Sequence, residues 1–587
     1  MGARTVPRWQ GQAISILRDA VSTNNPADRP DELPVRVHVY TGEDEAETQR
    51  YSCGIWVVLE KHGFLDVTEG PVSGAPQREG ACAVVTAAAA SSMSLAALAV
   101  LRAAHPVVVV EGPWSSALAD VIGTCGEVVA ARGSVRVEDE ALRSELEGWL
   151  VGSWTPSYSG ASSRELTLAM TPRVQRPHRQ SDVADPMHEE LVGAVPADPW
   201  SIRATTLPDH FEVVASVAAQ PLVAEAPGLV LLPQPLLSYI VEDHSARVLH
   251  DVYEFSNDRF AFELLLLQVL TRAMTGQGAI VARIAPWPAG KDYALTIRHD
   301  VDRLPDEEVL ESVLRLEAQS GAGVSAYFQS RTADAIVVDR FAENGAEIGW
   351  HVAQLYPDGE DELRQITGLG HDVRGVTVHG NQGNYGWRGL PNWRRSELLG
   401  MAYCENLAST RYLPSRAFDL ADGLAGGREI LVLPHHHSLD RGLNGTYRDE
   451  ILAALPTLSA LGAYVVVLNH PDINVTELGE VLDGMPERAW QATSRAVTDW
   501  WTATHYRDNL VMRVLVEDDT SSIHLQGRTD LEGLVLEIAG RVTDGPTSTY
   551  MGQRRSPILN GVVSRVRVDL SPNGMGVVPC DPWMSEL

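Results

Sequence analysis

In the stretch DYALTIRHDVDRLPDEE, residues 292–308, a strand-like run is followed at once by His299, Asp300 and Asp302. Side chains alternate along an extended chain, so carboxylates at i and i+2 share a face. Two carboxylates that close repel and raise each other's pKa, a cost that a bound cation or a helix N-terminus just beyond can offset. His299 points the other way, as a hydrogen bonder in the core. Further along, VSAYF (324–328), AEIGWHV (346–352), GVTVHG (375–380), EILVLP (429–434) and AYVVVLNH (463–470) read as strands, and eight of the 18 His fall between 299 and 470. Asp and His delivered by successive strand ends are donors suited to zinc or another divalent ion, with positions left for water. The loop HGNQGNYGWRG (379–389) presents Asn381, Tyr385, Trp387 and Arg388 between glycines spaced every three residues. Aromatic faces beside amides suit a sugar ring, although an ordinary turn-rich loop would read the same way. Of the run His435, His436 and His437, one, taken as His436, is expected to touch substrate. His505 and His524 read as structural. No G-x-S-x-G elbow and no Cys/His pair supports covalent hydrolysis.

The elements that must position these residues alternate in type. Residues 34–150 interleave β-branched runs (VRVHVYT, CAVVTA, PVVVVEG) with helical stretches, which predicts βαβ units in a Rossmann- or flavodoxin-like layer. That layer carries no G-x-G-x-x-G and no P-loop, so its expected role is architectural or docking. The uncharged stretch ACAVVTAAAASSMSLAALAVL (81–101) has a membrane-like length. Its Ala and Ser make it only weakly apolar, and Ser91 or Ser92 is expected to cap a helix reaching His105. Residues 1–33 read as an N-terminal extension, 151–200 as a linker region, and 201–290 as a connecting segment with a buried helix, AFELLLLQVLTRAM. Residues 291–490 hold the strand ends described above. From 491 to 587 strand-like runs separated by turn residues predict an all-β domain, making the whole an α/β multidomain protein.

LTIRHDVD, followed about 50 residues later by GAEIGWH and closed by VVVLNHPD, resembles the polysaccharide deacetylase (NodB-homology, carbohydrate esterase family 4) proteins. Their chains open on a strand ending in Asp-Asp or Asp-x-Asp, continue with G-H-E-I-G-x-H, and close on a strand ending in a catalytic His. The resemblance covers residues 291–490. It implies a central deformed (β/α) barrel and a metal-dependent hydrolase that removes an N-acyl group, in the first place N-acetyl, from a sugar or sugar-containing metabolite. It implies Asp300 as general base, Asp302 and His351 as metal ligands, and His470 as the acid that protonates the leaving amine. The ion it implies is Zn2+, with Co2+ or Ni2+ as alternatives. The family's second histidine, four residues after the first, is Leu355 here. His379, at the end of the next strand, is expected to replace it, with His371 or a water as weaker choices. Without a replacement, the domain is a non-catalytic carbohydrate-binding or assembly protein.

The 587 residues exceed one hydrophobic core, and a mean hydropathy of −0.09 is that of globular protein. A formal charge of −30 argues against nucleic acid and anionic membrane surfaces, which are gripped by clustered Lys and Arg. Only Lys61 and Lys291 are lysines, which disfavours Schiff-base chemistry. Five cysteines without C-x-x-C spacing fit free thiols in a reducing compartment, and no apolar leader run opens the chain. The expectation is a cytoplasmic protein acting on a small-molecule or oligosaccharide substrate, with no nucleic-acid or membrane partner and a possible homo-oligomer.

Overall fold

The computed structural model describes residues 37–42, 54–71, 80–130, 134–150, 167–169, 202–238, 240–241, 258–352, 359–378, 396–397, 399–407, 412–416, 430–435, 437–439, 448–517, 520–559, 561–571 and 574–582. Three large sheets and a two-stranded one, Thr124–Ala130 with Ile202–Thr206, organise them. In the first, the strands Val67–Pro71, Val37–Thr41, Cys82–Val85, Val107–Glu111 and Leu229–Leu232 lie side by side and parallel. Gln220–Ala226, Glu212–Val217, Ser134–Val137 and Thr167–Ala169 extend this sheet antiparallel. Residues 212–232, read from sequence as part of a connector, thus help complete the N-terminal sheet. The strand VVVVE at its centre is buried throughout, the pattern of a parallel sheet covered on both faces. The uncharged stretch forms two helices, Ala87–Ser92 and Leu95–Ala104. Their caps are Thr86 and Ser94, whose hydroxyls accept from Ala89 and Ala97 N–H, and not Ser91 or Ser92. Among the described residues no helix is long and apolar enough to cross a membrane.

The second sheet carries the candidate chemistry. Its principal strands, labelled here in chain order, are β1 (Tyr293–Val301), β2 (Val324–Phe328), β3 (Glu347–Val352), β4 (Gly375–Val378), β5 (Tyr403–Leu407), β6 (Leu431–His435) and β7 (Tyr464–Asn469). They pair in parallel in the order β6-β5-β4-β3-β2-β1-β7. The short strand His437–Ser438, one residue beyond β6 in the chain, pairs with β7 at the far end of that order. Residues 431–435 thus bond to β5 and residues 437–438 to β7, and the sheet must curl around a common interior to let them. Helices such as Glu307–Ser320, Ala335–Glu343 and Arg448–Leu461 make the crossovers on the outside. Tyr327, Tyr403, Tyr464 and Leu433 pack inside.

The third sheet runs Leu510–Glu517, Thr520–Gly527, Met575–Pro582, Leu531–Val542, Gly561–Leu570 and Ser548–Ser556, all antiparallel. Val281–Ile284, from the segment before β1, adds to it beside Leu531–Val542.

Candidate functional site

β1 is buried at all nine positions, so its polar residues must be satisfied by protein. Arg298 and Asp300 share one face, and the guanidinium grips the carboxylate at both oxygens: Nε donates to Oδ1 at 2.7 Å and Nη2 to Oδ2 at 2.6 Å. Burial alone would push the Asp300 carboxyl up. The Arg298 charge, with His351 and His470 nearby, reverses this and holds it well below the usual carboxylate range. The cation that offsets one member of the carboxylate pair is thus a guanidinium two residues upstream.

Asp302 lies just past the end of β1. Its Oδ1 accepts from Gln329 Nε2 and stands 3.1 Å from His351 Nε2, while its Oδ2 is 3.4 Å from His470 Nε2. His351 Nε2 is also 3.7 Å from Asp300 Oδ2. β1, β3 and β7 therefore bring Asp300, Asp302, His351 and His470, chosen from three separate motifs, into one constellation at their carboxyl ends. His351 is enclosed, whereas the Asp302 and His470 side chains are 22% and 15% exposed, so the site opens on their side.

Below it runs a buried polar column. Arg298 Nη1 donates to Glu405 Oε2 (3.1 Å), and Tyr327 Oη and Ser494 Oγ both donate to Glu405 Oε1 (2.6 Å each). Tyr403 Oη donates to Glu347 Oε1 (2.6 Å) and lies 2.8 Å from Tyr327 Oη. Burial raises the Glu405 carboxyl and pushes that of Glu347 up to about 7. Two glycines make room for the rings: a Cβ at Gly349 would lie 2.3 Å from the Tyr327 ring, and one at Gly375 2.0 Å from the Tyr403 ring. Sequence reading missed Arg298, Gln329 and Glu405. The i, i+2 rule that paired the aspartates also puts Arg298 on their face; β5, which carries Glu405, was not recognised as a strand.

His299 lies on the opposite face, as expected, hydrogen-bonded to Glu317 and accepting from Asn469 Nδ2 (3.3 Å). His371 does not approach the constellation. It precedes the amino end of β4, opposite the site, and pairs with Asp339 at 3.0 Å, which removes it as a ligand. His505 stacks on Trp501 (3.8 Å, 8°), and His524 contacts Ser522 and Met575, both structural roles. His379, Asn381, Tyr385, Trp387, Arg388, His436 and Leu355 lie outside the described residues.

Among the described residues no three His, Cys, Asp or Glu side chains group as metal ligands. Asp302 and His351 nevertheless provide a carboxylate and an imidazole 3.1 Å apart. Beside them the Gln329 amide donates to Asp302 Oδ1. A carboxylate oxygen and an imidazole nitrogen are donors that fit a divalent ion.

No family model matches the sequence, and no curated protein does. Parts of the chain are similar to solved structures. Peptidoglycan deacetylase PdaC from Bacillus subtilis is 12% identical over 36% of this chain and 92% of its own, with a TM-score of 0.24. A family 4 carbohydrate esterase from Streptomyces lividans, in complex with acetate, is 15% identical over 33% of this chain and 88% of its own (TM-score 0.21). A CE4 family pseudoenzyme from Bacillus anthracis is 14% identical over 36% of this chain and 67% of its own (TM-score 0.23).

Proposed function

We propose that this protein is a metal-dependent hydrolase that removes an N-acyl group, N-acetyl in the first place, from a sugar or sugar-containing metabolite. One observation carries the reading: Asp300, Asp302, His351 and His470 converge at the carboxyl ends of three parallel strands, where α/β sheets bind ligands. Asp302 and His351 would hold the ion, zinc first and cobalt or nickel as alternatives. When bound, the ion would polarise the acyl carbonyl and acidify a water. Asp300, kept ionised by Arg298, orients that water and takes its proton. Arg298 takes one lone pair of each Asp300 oxygen and leaves the others able to accept a proton. His470, at the open side, delivers a proton to the leaving nitrogen. A cytoplasmic enzyme of this kind would meet a nucleotide sugar, a glycoside or a polysaccharide intermediate. Assembly into a homo-oligomer would leave this chemistry unaltered, since all four residues come from one sheet.

A second reading, a non-catalytic carbohydrate-binding or assembly protein, is favoured by one feature. Gln329, His351 and His470 approach both oxygens of the Asp302 carboxylate, so protein groups alone can satisfy it. Asp302→Ala and His351→Ala separate the two. Both should fold, because Asp302 is partly exposed and the enclosed His351 meets polar groups at its strand end, and both should lose bound metal. Stoichiometric metal retained in both variants would sink the hydrolase assignment.

A further inference from the structure

We infer that Arg488, Arg554 and Arg565 form an oxyanion site, for phosphate or a phosphate ester, at the seam between the third sheet and the amino end of the second. The inference goes beyond the hydrolase reading and does not rest on it, because Asp300 lies at the other end of β1. Strand pairing sets up the site. Arg283 of Val281–Ile284 stands opposite Glu537 of Leu531–Val542, and Glu537 stands opposite Arg565 of Gly561–Leu570. Residues paired across strands share a face, so one carboxylate lies between two guanidiniums. Arg554 reaches the same carboxylate from the edge strand Ser548–Ser556, with Nε 3.0 Å from Glu537 Oε1. Asp292 immediately precedes β1, and Arg488 precedes the short strand Ala489–Gln491, which pairs with the amino end of β1. Asp292 Oδ1 is 3.1 Å from Arg488 Nη2 and 3.9 Å from both Arg554 Nη1 and Arg565 Nη1.

Four guanidiniums thus meet two carboxylates, and the match is poor. Glu537 is engaged chiefly by Arg283, whose Nε donates to Oε2 at 2.9 Å, and by Ser556 Oγ at 3.3 Å. Asp292 is left to face three arginines. Arg565 is 6% exposed, yet its Nε has no hydrogen-bond partner, and the nearest oxygens of Glu537 and Asp292 stand 3.9 Å away. Arg554 Nε is likewise without a hydrogen bond, its N–H not aimed at the Glu537 oxygen beside it. Burial, together with the charge of Arg554, holds the Arg565 guanidinium below its ordinary pKa. A buried cation with unmade hydrogen bonds is unfavourable, and an anion among these arginines would offset that cost. Guanidiniums arriving from three separate elements suit a ligand with oxygens in several directions, as a tetrahedral phosphate has; a planar carboxylate offers only two. The approach is open, since the side chains of Arg488 and Arg554 are 54% and 20% exposed. In a chain of formal charge −30, this local excess of cations runs against the composition.

The test is calorimetric titration of the full chain with inorganic phosphate and with a sugar 1-phosphate, in chloride buffer of constant ionic strength. One phosphate group should bind per chain. Arg554→Gln and Arg488→Gln should each weaken it roughly 10-fold, the worth of about one charge-assisted hydrogen bond. Asp292→Asn removes the carboxylate that competes for the same three arginines and should tighten it. The tighter of the two ligands identifies the occupant as free phosphate or as an ester. Wild-type protein that binds neither ligand overturns the inference. Affinity unaltered in both arginine variants also overturns it, because binding would then lie elsewhere on the surface. Should Arg554→Gln fail to fold, Arg488→Gln, at an exposed position, decides together with Asp292→Asn: phosphate affinity unmoved in both excludes the site.

Discussion

At the scale of single residues, strand alternation made the Asp300 and Asp302 pair legible, whereas His351 and His470 were singled out by the family resemblance of the strand ends that carry them. Arg298 obeys the same alternation, yet an arginine inside a strand carries no signal until its neighbours are known. Gln329 depends on the neighbouring strand's register and on Thr332, neither of which sequence displays. Two outcomes follow at this scale. Asp300→Asn should keep its metal but lose roughly 10²–10⁴-fold in acetate release from an N-acetylated substrate, the usual worth of a positioned proton acceptor. Asp302→Asn should lose metal and activity together, and full activity in Asp300→Asn would place the base elsewhere. Arg298→Met should cost about 3–5 kcal/mol in urea unfolding, since it strands two buried carboxylates, Asp300 and Glu405. The Asp300 carboxyl is depressed in the folded protein. The stability it contributes is thus present above the ordinary aspartate range and lost as pH falls toward its folded value. Acid unfolding of Arg298→Met should accordingly begin at a higher pH than in the wild type.

At the scale of elements, runs such as VSAYF and YVVVLN announced themselves by their β-branched and aromatic content. β5, YCENL, did not, because Glu405 and Asn406 belong to types that strands disfavour. Glu405 is tolerated there because Arg298, Tyr327 and Ser494 meet it inside the curled sheet. Polar burial hid the strand and built the support of the site in one step. The same column constrains β3 and β4. Gly349→Ala should destabilise by about 1–3 kcal/mol or more through overpacking against Tyr327, measured by urea denaturation; a neutral result would mean that the ring can move aside. Glu347, with its carboxyl raised to about 7, contributes stability that is full below the ordinary glutamate value and is lost as pH rises through about 7. Glu347→Gln should flatten the fall in Tm across that window, and an unchanged slope would assign it to other groups.

At the scale of the molecule, the α/β character of the first sheet was visible in its parallel strands. Its completion by residues 212–232 was not, since those strands arrive after a long interruption in the chain. Contacts between the sheets are equally silent in sequence. Glu263 accepts from Lys61 Nζ at 2.8 Å and lies 2.9 Å from His62 Nε2. Arg416, on a short strand beside β6, donates to Glu60 at 3.0 Å and stacks 3.8 Å over Tyr506. This guanidinium ties the N-terminal layer to the barrel and to the helix that follows it, so Arg416→Met should cost about 3–5 kcal/mol and lower Tm with the barrel strands still formed. The central claim is a whole-molecule one, that this barrel holds a divalent ion for hydrolysis. Its most direct measurement is the metal content of the full chain, purified without chelator from metal-replete cells, beside Asp302→Ala. The account predicts about one zinc, cobalt or nickel ion per wild-type chain and none in the variant; a correctly folded wild-type chain carrying no metal would contradict it.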